Sequence, residues 1–250
     1  MGNIIMYNED MGCDESIKIL YTSIIREIMN DGDIFIEVGI ALGSSLIFFI
    51  EEARRQSKKL KIYGVDTFNG TPPDMIIDNV SEHQDIINTY GSDFKWRCEE
   101  NLKKAGVFDD VTLLQMKSIE ASNKFSTGEI AAVFIDGSHY YEDVKSDIYS
   151  WKDKIRSKGI ISGHDFKPGV PWSDEGVIKA VTEVFGVNGR IKYNKKNQDN
   201  YIVNRHLFET TANAETSLSS WRNYMNETEL DLVTKSSTGL SGSCWWVCDI

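Results

Sequence analysis

Two groups of residues in this chain have the types and spacing of a chemical site. The first is Glu37-Val-Gly39-Ile-Ala-Leu-Gly43-Ser44, which ends the apolar run from Ile34, together with Asp66, which ends a second apolar run from Ile62. Glycines at a sharp strand-to-helix turn let the backbone take unusual dihedrals and let a ligand lie against the main chain. The spacing is not the G-x-G-x-x-G that seats a pyrophosphate on a helix N-terminus. Glu37 just before the turn would repel phosphate; it suits an amine-bearing ligand, and Asp66 is placed to accept hydrogen bonds from a ribose. The second group is Asp136-Gly-Ser-His139, after the apolar run 130–135, and His164-Asp165, after the next apolar segment. Singly, each of these four would serve as well as a turn cap or a hydrogen-bonded core residue. Together at one sheet edge they are costly to bury without a ligand. Oxygen and imidazole donors from adjacent strand tips can hold a divalent metal, and two acids with a histidine suit Mg²⁺, Mn²⁺ or Fe²⁺.

Such groups converge only if strands and helices alternate. Ile17, Leu20, Ile24, Ile25 and Ile28 recur at helical spacing and predict a helix over 14–29, with Asp14 as its N-cap. A strand over 33–38, a helix over 44–55 and a strand over 60–65 make a βαβ unit with a right-handed crossover. Residues 68–90, with Gly70, Thr71, Pro72, Pro73 and His83, break the rhythm and read as a loop with a short helix, forming a lid near the pocket mouth. Helices are expected over 93–105, 119–125, 142–155 and 175–185, and strands over 111–115, 130–135 and 159–162. Residues 190–193 and 200–203 read as a closing pair of strands. The fold class is α/β: a Rossmann-like, doubly wound, mostly parallel seven-stranded sheet with helices on both faces. Residues 1–205 form one domain, with 1–30 as an N-terminal helical segment and 68–95 as the lid. Residues 206–250 form a less regular extension, packed on that domain or at an oligomer contact. Trp245 and Trp246 are placed there either over the sheet or in a dimer interface.

Composition narrows the chemistry. The 250 residues carry 27 Lys and Arg against 38 Asp and Glu, a net charge of -11. That disfavours a polyanionic partner, because phosphate binding rests on clustered cations. Nucleic acid and membrane are therefore not expected partners, and a neutral or cationic small molecule is. There is no run long enough to span a bilayer, and the first ten residues lack the basic start and apolar centre of a signal peptide. The expected compartment is cytoplasmic, with Cys13, Cys98, Cys244 and Cys248 as free thiols.

Taken together, Glu37-x-Gly39-x-x-x-Gly43, Asp66, Ile135-Asp136-Gly137-Ser138-His139-Tyr140 and His164-Asp165 resemble the class I S-adenosylmethionine-dependent methyltransferases. More narrowly, they resemble the branch containing the macrocin and mycinamicin sugar O-methyltransferases and the cephalosporin hydroxylase-like proteins. The resemblance covers about 31–203. It implies that Glu37, Gly39, Gly43 and Ser44 line the methionine part of S-adenosyl-L-methionine, and that Asp66, with Thr67, takes the ribose. It further implies that the segment containing Lys117 and Ser118 flanks the adenine. It assigns Asp136, His164 and Asp165 to a divalent metal and His139 to the role of base, with Asp136 at the cofactor as well. His139, Tyr140 and Trp172 would face the acceptor, a hydroxyl of a sugar or glycoside. The chain departs from that pattern in carrying His164 where the metal users have an acid, which lowers the charge offered to Mg²⁺ and favours an ion that accepts nitrogen. An NAD-dependent oxidoreductase and a non-catalytic cofactor-binding scaffold are the other readings of the same sheet and turn.

Overall fold

The computed structural model describes residues 13, 15–70, 82–166, 175–185, 200–203, 207–211, 230–233 and 243–248. Helices α1 (Glu15–Glu27), α2 (Ser44–Arg55), α3 (Glu82–Tyr90), α4 (Lys95–Lys104), α5 (Ser118–Ser122), α6 (Tyr141–Lys152) and α7 (Glu175–Phe185) alternate with strands. The strands are β1 (Ile34–Val38), β2 (Lys61–Asp66), β3 (Val111–Gln115), β4 (Ile130–Ile135), β5 (Ile155–Gly163), β6 (Asn200–Val203), β7 (Leu207–Thr211), β8 (Leu230–Val233) and β9 (Ser243–Cys248). A seven-stranded sheet has the order β3-β2-β1-β4-β5-β9-β7. Strands β3, β2, β1, β4 and β5 run parallel, while β9 is antiparallel to β5 and β7 to β9. The doubly wound, mostly parallel α/β sheet expected from the sequence is therefore the fold observed.

β1 and β4 are buried along their whole lengths, as central strands of a sheet covered on both faces must be. Their alternating side chains feed two cores. Phe35 and Phe134 join Tyr21, Leu46, Phe49 and Leu102 on one face, where the Phe35 and Phe49 rings stack at 3.6 Å and Tyr21 meets both edge-on. Ile36 and Val133 join Val144, Ile148, Trp151 and Val181 on the other. Each large apolar side chain so buried contributes about 1.5–3 kcal/mol.

Winding outward from β1 in both directions leaves a crevice where strand order reverses. β1 is followed in the chain by its neighbour β2 on one side, and its other neighbour, β4, arrives only after β3. The carboxyl ends of β1 and β4 therefore bound the position where open α/β sheets accept ligands. Both predicted groups of residues hang from these tips.

Two expectations change. Ile155, read as the end of the α6 apolar face, is the first residue of β5 and pairs with Ile130. α6 stops at Lys152, the Lys154 N–H bonds back to the Trp151 carbonyl, and Ile130 N–H takes the Lys154 carbonyl into the sheet. Apolar spacing registered the burial of Ile155 but not the turn beneath it. β6 pairs antiparallel with β8 in a separate two-stranded sheet, whereas residues 190–193, its expected partner, lie outside the described residues. The large sheet is instead completed by β9 and β7. Asp14, expected as an N-cap, also lies outside the described residues, as do residues 71–81 of the expected lid. Among the described residues no helix is long and apolar enough to cross a membrane, and Cys98 is a free, buried thiol.

Candidate active site

The tip of β1 is fastened on both sides. Gly39 N–H donates to the Val65 carbonyl of β2 at 2.8 Å, and Asp136 N–H donates to the Val38 carbonyl at 2.8 Å. Gly39 has φ +85°, and a Cβ there would lie 2.1 Å from the Asp136 carbonyl oxygen. Glycine is thus required both for the left-handed backbone and for the close approach of the β4 tip. Gly43, also left-handed, leads into α2 and closes the turn with an N–H to the Ile40 carbonyl at 2.7 Å.

Asp66 holds this turn from β2. Its Oδ2 accepts the Ala41 N–H at 2.9 Å and its Oδ1 the Phe68 N–H at 2.7 Å. An ionised carboxylate has about four lone-pair positions, and these two bonds fix its orientation at the mouth of the turn. Charged hydrogen bonds are worth about 1.5–3 kcal/mol each; with the turn no longer held and the ribose contact implied by the resemblance lost, Asp66→Ala is expected to weaken S-adenosylhomocysteine binding by about 10- to 100-fold. Calorimetric titration of the variant checks this.

Glu37, between Gly64 and Phe134 in register, is fully buried. Ser45 donates to its Oε1, while its Oε2 makes no well-formed hydrogen bond and the buried Tyr21 hydroxyl stands near enough to act on the carboxyl. Burial pushes the Glu37 carboxyl up to about 8, the Ser45 hydroxyl acts the other way, the Asp136 charge adds to the rise, and the Tyr21 hydroxyl offsets part of it. The folded chain therefore keeps a proton that the unfolded chain releases from its ordinary value near 4.5 upward. Stability falls as pH rises through the window between 4.5 and about 8, by about 1.4 kcal/mol per unit at most. In thermal unfolding from pH 5 to 9, Glu37→Gln is expected to lose most of this slope and to match the parent chain at the acidic end.

At the β4 and β5 tips, the carboxylate of Asp165 receives two imidazoles. His139 Nε2 lies 3.0 Å from its Oδ2 and His164 Nδ1 3.3 Å, while His164 Nδ1 is 3.7 Å from Asp136 Oδ1. Asp165 is buried and would titrate high on that ground alone. The hydrogen bonds from His139 and His164 outweigh burial and hold it well below the usual carboxylate range. Its backbone sits at φ +59°, an uncommon conformation for a residue with a side chain. Asp136, His139 and Asp165 present ligand atoms within 4.8 Å of one another, the grouping among the described residues that could hold a metal ion. His164 thus stands beside the converging set, and His139, assigned as base, stands within it.

Local structure aims His139. Ser138 Oγ donates to Asp143 Oδ2 at 2.6 Å and accepts the Tyr140 N–H at 3.2 Å, which shapes the entry to α6. Gly176 brings α7 onto the same loop, since a Cβ there would lie 2.3 Å from the His139 carbonyl oxygen. The His139 side chain stays 41% exposed, so an acceptor can reach it.

Other expected site residues are placed as follows. Ser44 opens α2 and is half-buried, as are Thr67, just past Asp66, and Tyr140. Lys117 is exposed at the entry to α5, and Ser118 Oγ accepts the Trp151 Nε1–H at 2.8 Å. Trp172 lies outside the described residues. Two contributors escaped the sequence reading. Ser45 binds Glu37 from the first turn of α2, and Trp245 lines the same cavity as Asp136, His139 and Asp165. The six-residue run Ser243–Cys248, rich in aromatic and apolar residues, carried a strand signal that would have found β9.

Residues 36–166, which include both strand-tip groups, match the family model described as a methyltransferase domain. A relative, the uncharacterized protein y4gI of Sinorhizobium fredii, is 24% identical over 130 residues. That alignment takes in 52% of this chain and 13% of the relative, so the chain spans only a small part of that protein's length. Among solved structures, a protein of Corynebacterium glutamicum superposes with a TM-score of 0.54 at 12% identity, covering 95% of this chain and 82% of that one. A candidate rRNA methylase of Clostridium thermocellum gives a TM-score of 0.52 at 13% identity, covering 94% and 97%. These likenesses establish a shared fold. With more than half of its length matched by the family model, and both groups of site residues inside the match, the chain belongs to the methyltransferase-domain family.

Proposed function

We propose that this chain transfers a methyl group from S-adenosyl-L-methionine to a hydroxyl of a small molecule, a sugar or glycoside, with a divalent cation assisting. The observation that carries the reading is the placing of His139 on Asp165, facing Asp136, at the strand tip that touches the Gly39 turn. The residues present fit the donor. Glu37 offers a buried carboxyl with no well-formed hydrogen bond at Oε2, which an ammonium would satisfy, and Asp66, at the tip of β2, is placed to meet ribose hydroxyls. The -11 net charge supports a small acceptor over a nucleic acid.

When bound, S-adenosylmethionine supplies a methyl already activated by its sulfonium. The chain must then align an acceptor oxygen with that methyl and take up its proton. Alignment is worth up to about 7–11 kcal/mol in the best cases. His139 donates Nε2–H to Asp165, which fixes the tautomer and leaves Nδ1 as the basic atom. Asp165, anionic across the working range, stabilises the imidazolium that forms. Asp136 and Asp165 would hold the cation, with His164 as a nitrogen donor beside them; such an ion would lower the pKa of a bound hydroxyl. The mixed oxygen and nitrogen set favours Mn²⁺ or Fe²⁺ over Mg²⁺.

The test is incubation with methyl-labelled S-adenosylmethionine and a panel of free glycosides and nucleotide sugars, with EDTA, Mg²⁺, Mn²⁺ or Fe²⁺. Label on an acceptor oxygen, increased by Mn²⁺ or Fe²⁺ relative to EDTA, is expected. Label on nitrogen or carbon acceptors only, from a panel that includes them, would overturn the reading.

A further inference from the structure

The residue that orders the acceptor half of the site lies some eighty residues beyond it in sequence. β9 runs antiparallel along β5 and sets Trp245 opposite Gly163, the residue before His164. The indole fills the space a side chain on that glycine would need, since a Cβ on Gly163 would be 2.7 Å from both Cε2 and Cζ2 of Trp245. Trp245 is 1% exposed, meets the Phe185 ring of α7 at 6.0 Å between centroids, and forms one wall of the cavity that Asp136, His139, His164 and Asp165 line.

The β5 tip needs such a support. Asp165 is held in the left-handed region, which persists only when surrounding structure over-determines it. The backbone bond from His164 N–H to the Ile135 carbonyl, at 3.1 Å, fixes one side of the tip. On the other side the bare Gly163 backbone rests on the Trp245 ring. We infer that Trp245 is a positioning residue: its indole fixes the His164-Asp165 tip and, through Asp165, the orientation of His139. The inference deepens the proposed O-methyl transfer and rests on that reading for its kinetic arm alone.

β9 supplies its own control. Trp246 is the next residue, 2% exposed, and belongs to the opposite core with Phe35 and Phe134. A tryptophan that served only to anchor β9 would be matched by its neighbour, and a positioning tryptophan would not. The experiment compares Trp245→Phe with Trp246→Phe for turnover, S-adenosylhomocysteine affinity and the ring signals of His139 and His164 in nuclear magnetic resonance spectra. A misplacement of about 1 Å near reacting groups costs on the order of 10²-fold in rate. Trp245→Phe is therefore expected to lower kcat by tenfold or more, roughly, and to shift both histidine signals, with ligand affinity within about twofold. Trp246→Phe is expected to keep kcat and both signals, whatever it does to thermal stability. Unchanged kcat and histidine signals in Trp245→Phe, or parallel changes in both variants, would overturn the inference. If the parent chain methylates no acceptor, the proposed function fails on its own, and the histidine spectra alone decide the role of Trp245.

Discussion

His139→Ala is expected to lower kcat for methyl transfer by about 10²–10⁴-fold and to leave S-adenosylhomocysteine binding unchanged. The side chain is 41% exposed and pairs with Asp165, so its removal takes away the proposed proton acceptor without opening a core. α7 rests on the backbone of this loop at His139 and Tyr141, not on the imidazole, and the loop should keep its path. Asp165→Asn separates orientation from basicity. It leaves a group of the same shape that no longer stabilises an imidazolium, and it should also lose most of kcat. Single-turnover kinetics, with the cofactor bound in advance, check both variants. Full activity in His139→Ala would remove the histidine from the chemistry.

Gly39→Ala should have the larger structural effect. A methyl group at φ +85° and 2.1 Å from the Asp136 carbonyl oxygen cannot be accommodated without separating the β1 and β4 tips. Backbone strain of this kind is worth roughly 1–3 kcal/mol, and the overlap adds to it about 1–3 kcal/mol more. Because Gly39 lies in the turn proposed to hold the cofactor and packs on Asp136, cofactor binding and turnover should fall together. Gly137→Ala is the comparison, since its Cβ would meet only Val38 Cγ1 at 3.8 Å and should be tolerated. Denaturant unfolding and cofactor titration of the two variants give the contrast; equal stability would show that the tips are looser than this packing implies.

Local pattern carried much of this architecture and none of its long-range closure. Expected and observed limits coincide for α2, β3, β4 and α7, where apolar spacing is strong and glycine or polar residues mark the ends. The glycine turn, Asp66 and the Asp136 to His139 loop were legible because strand tips followed by acids and glycines have few other uses. Ile155 was not, because burial at helical spacing and burial in a strand look alike over a few residues. The tail was not, because β9 gains its meaning by pairing with β5 some eighty residues earlier, and no local signal records that partner. The same limit hid two details of the site. Asp66 spends hydrogen-bonding capacity on Ala41 and Phe68 within its own chain, and His139, more than His164, sits among the converging ligand atoms. Side-chain partners of this kind follow from how loops fold back, which spacing alone does not encode.

The measurement that bears most directly on the account is a calorimetric titration of S-adenosylhomocysteine and, separately, NADH into the intact chain near pH 7, in buffers of different ionisation enthalpy. With Glu37 held neutral by burial up to about 8, an ammonium brought to its carboxyl should draw off the proton. The proposed methyl-donor site requires that S-adenosylhomocysteine bind at one site with release of a proton and that NADH not bind. Binding of NADH with no response to S-adenosylhomocysteine would contradict it.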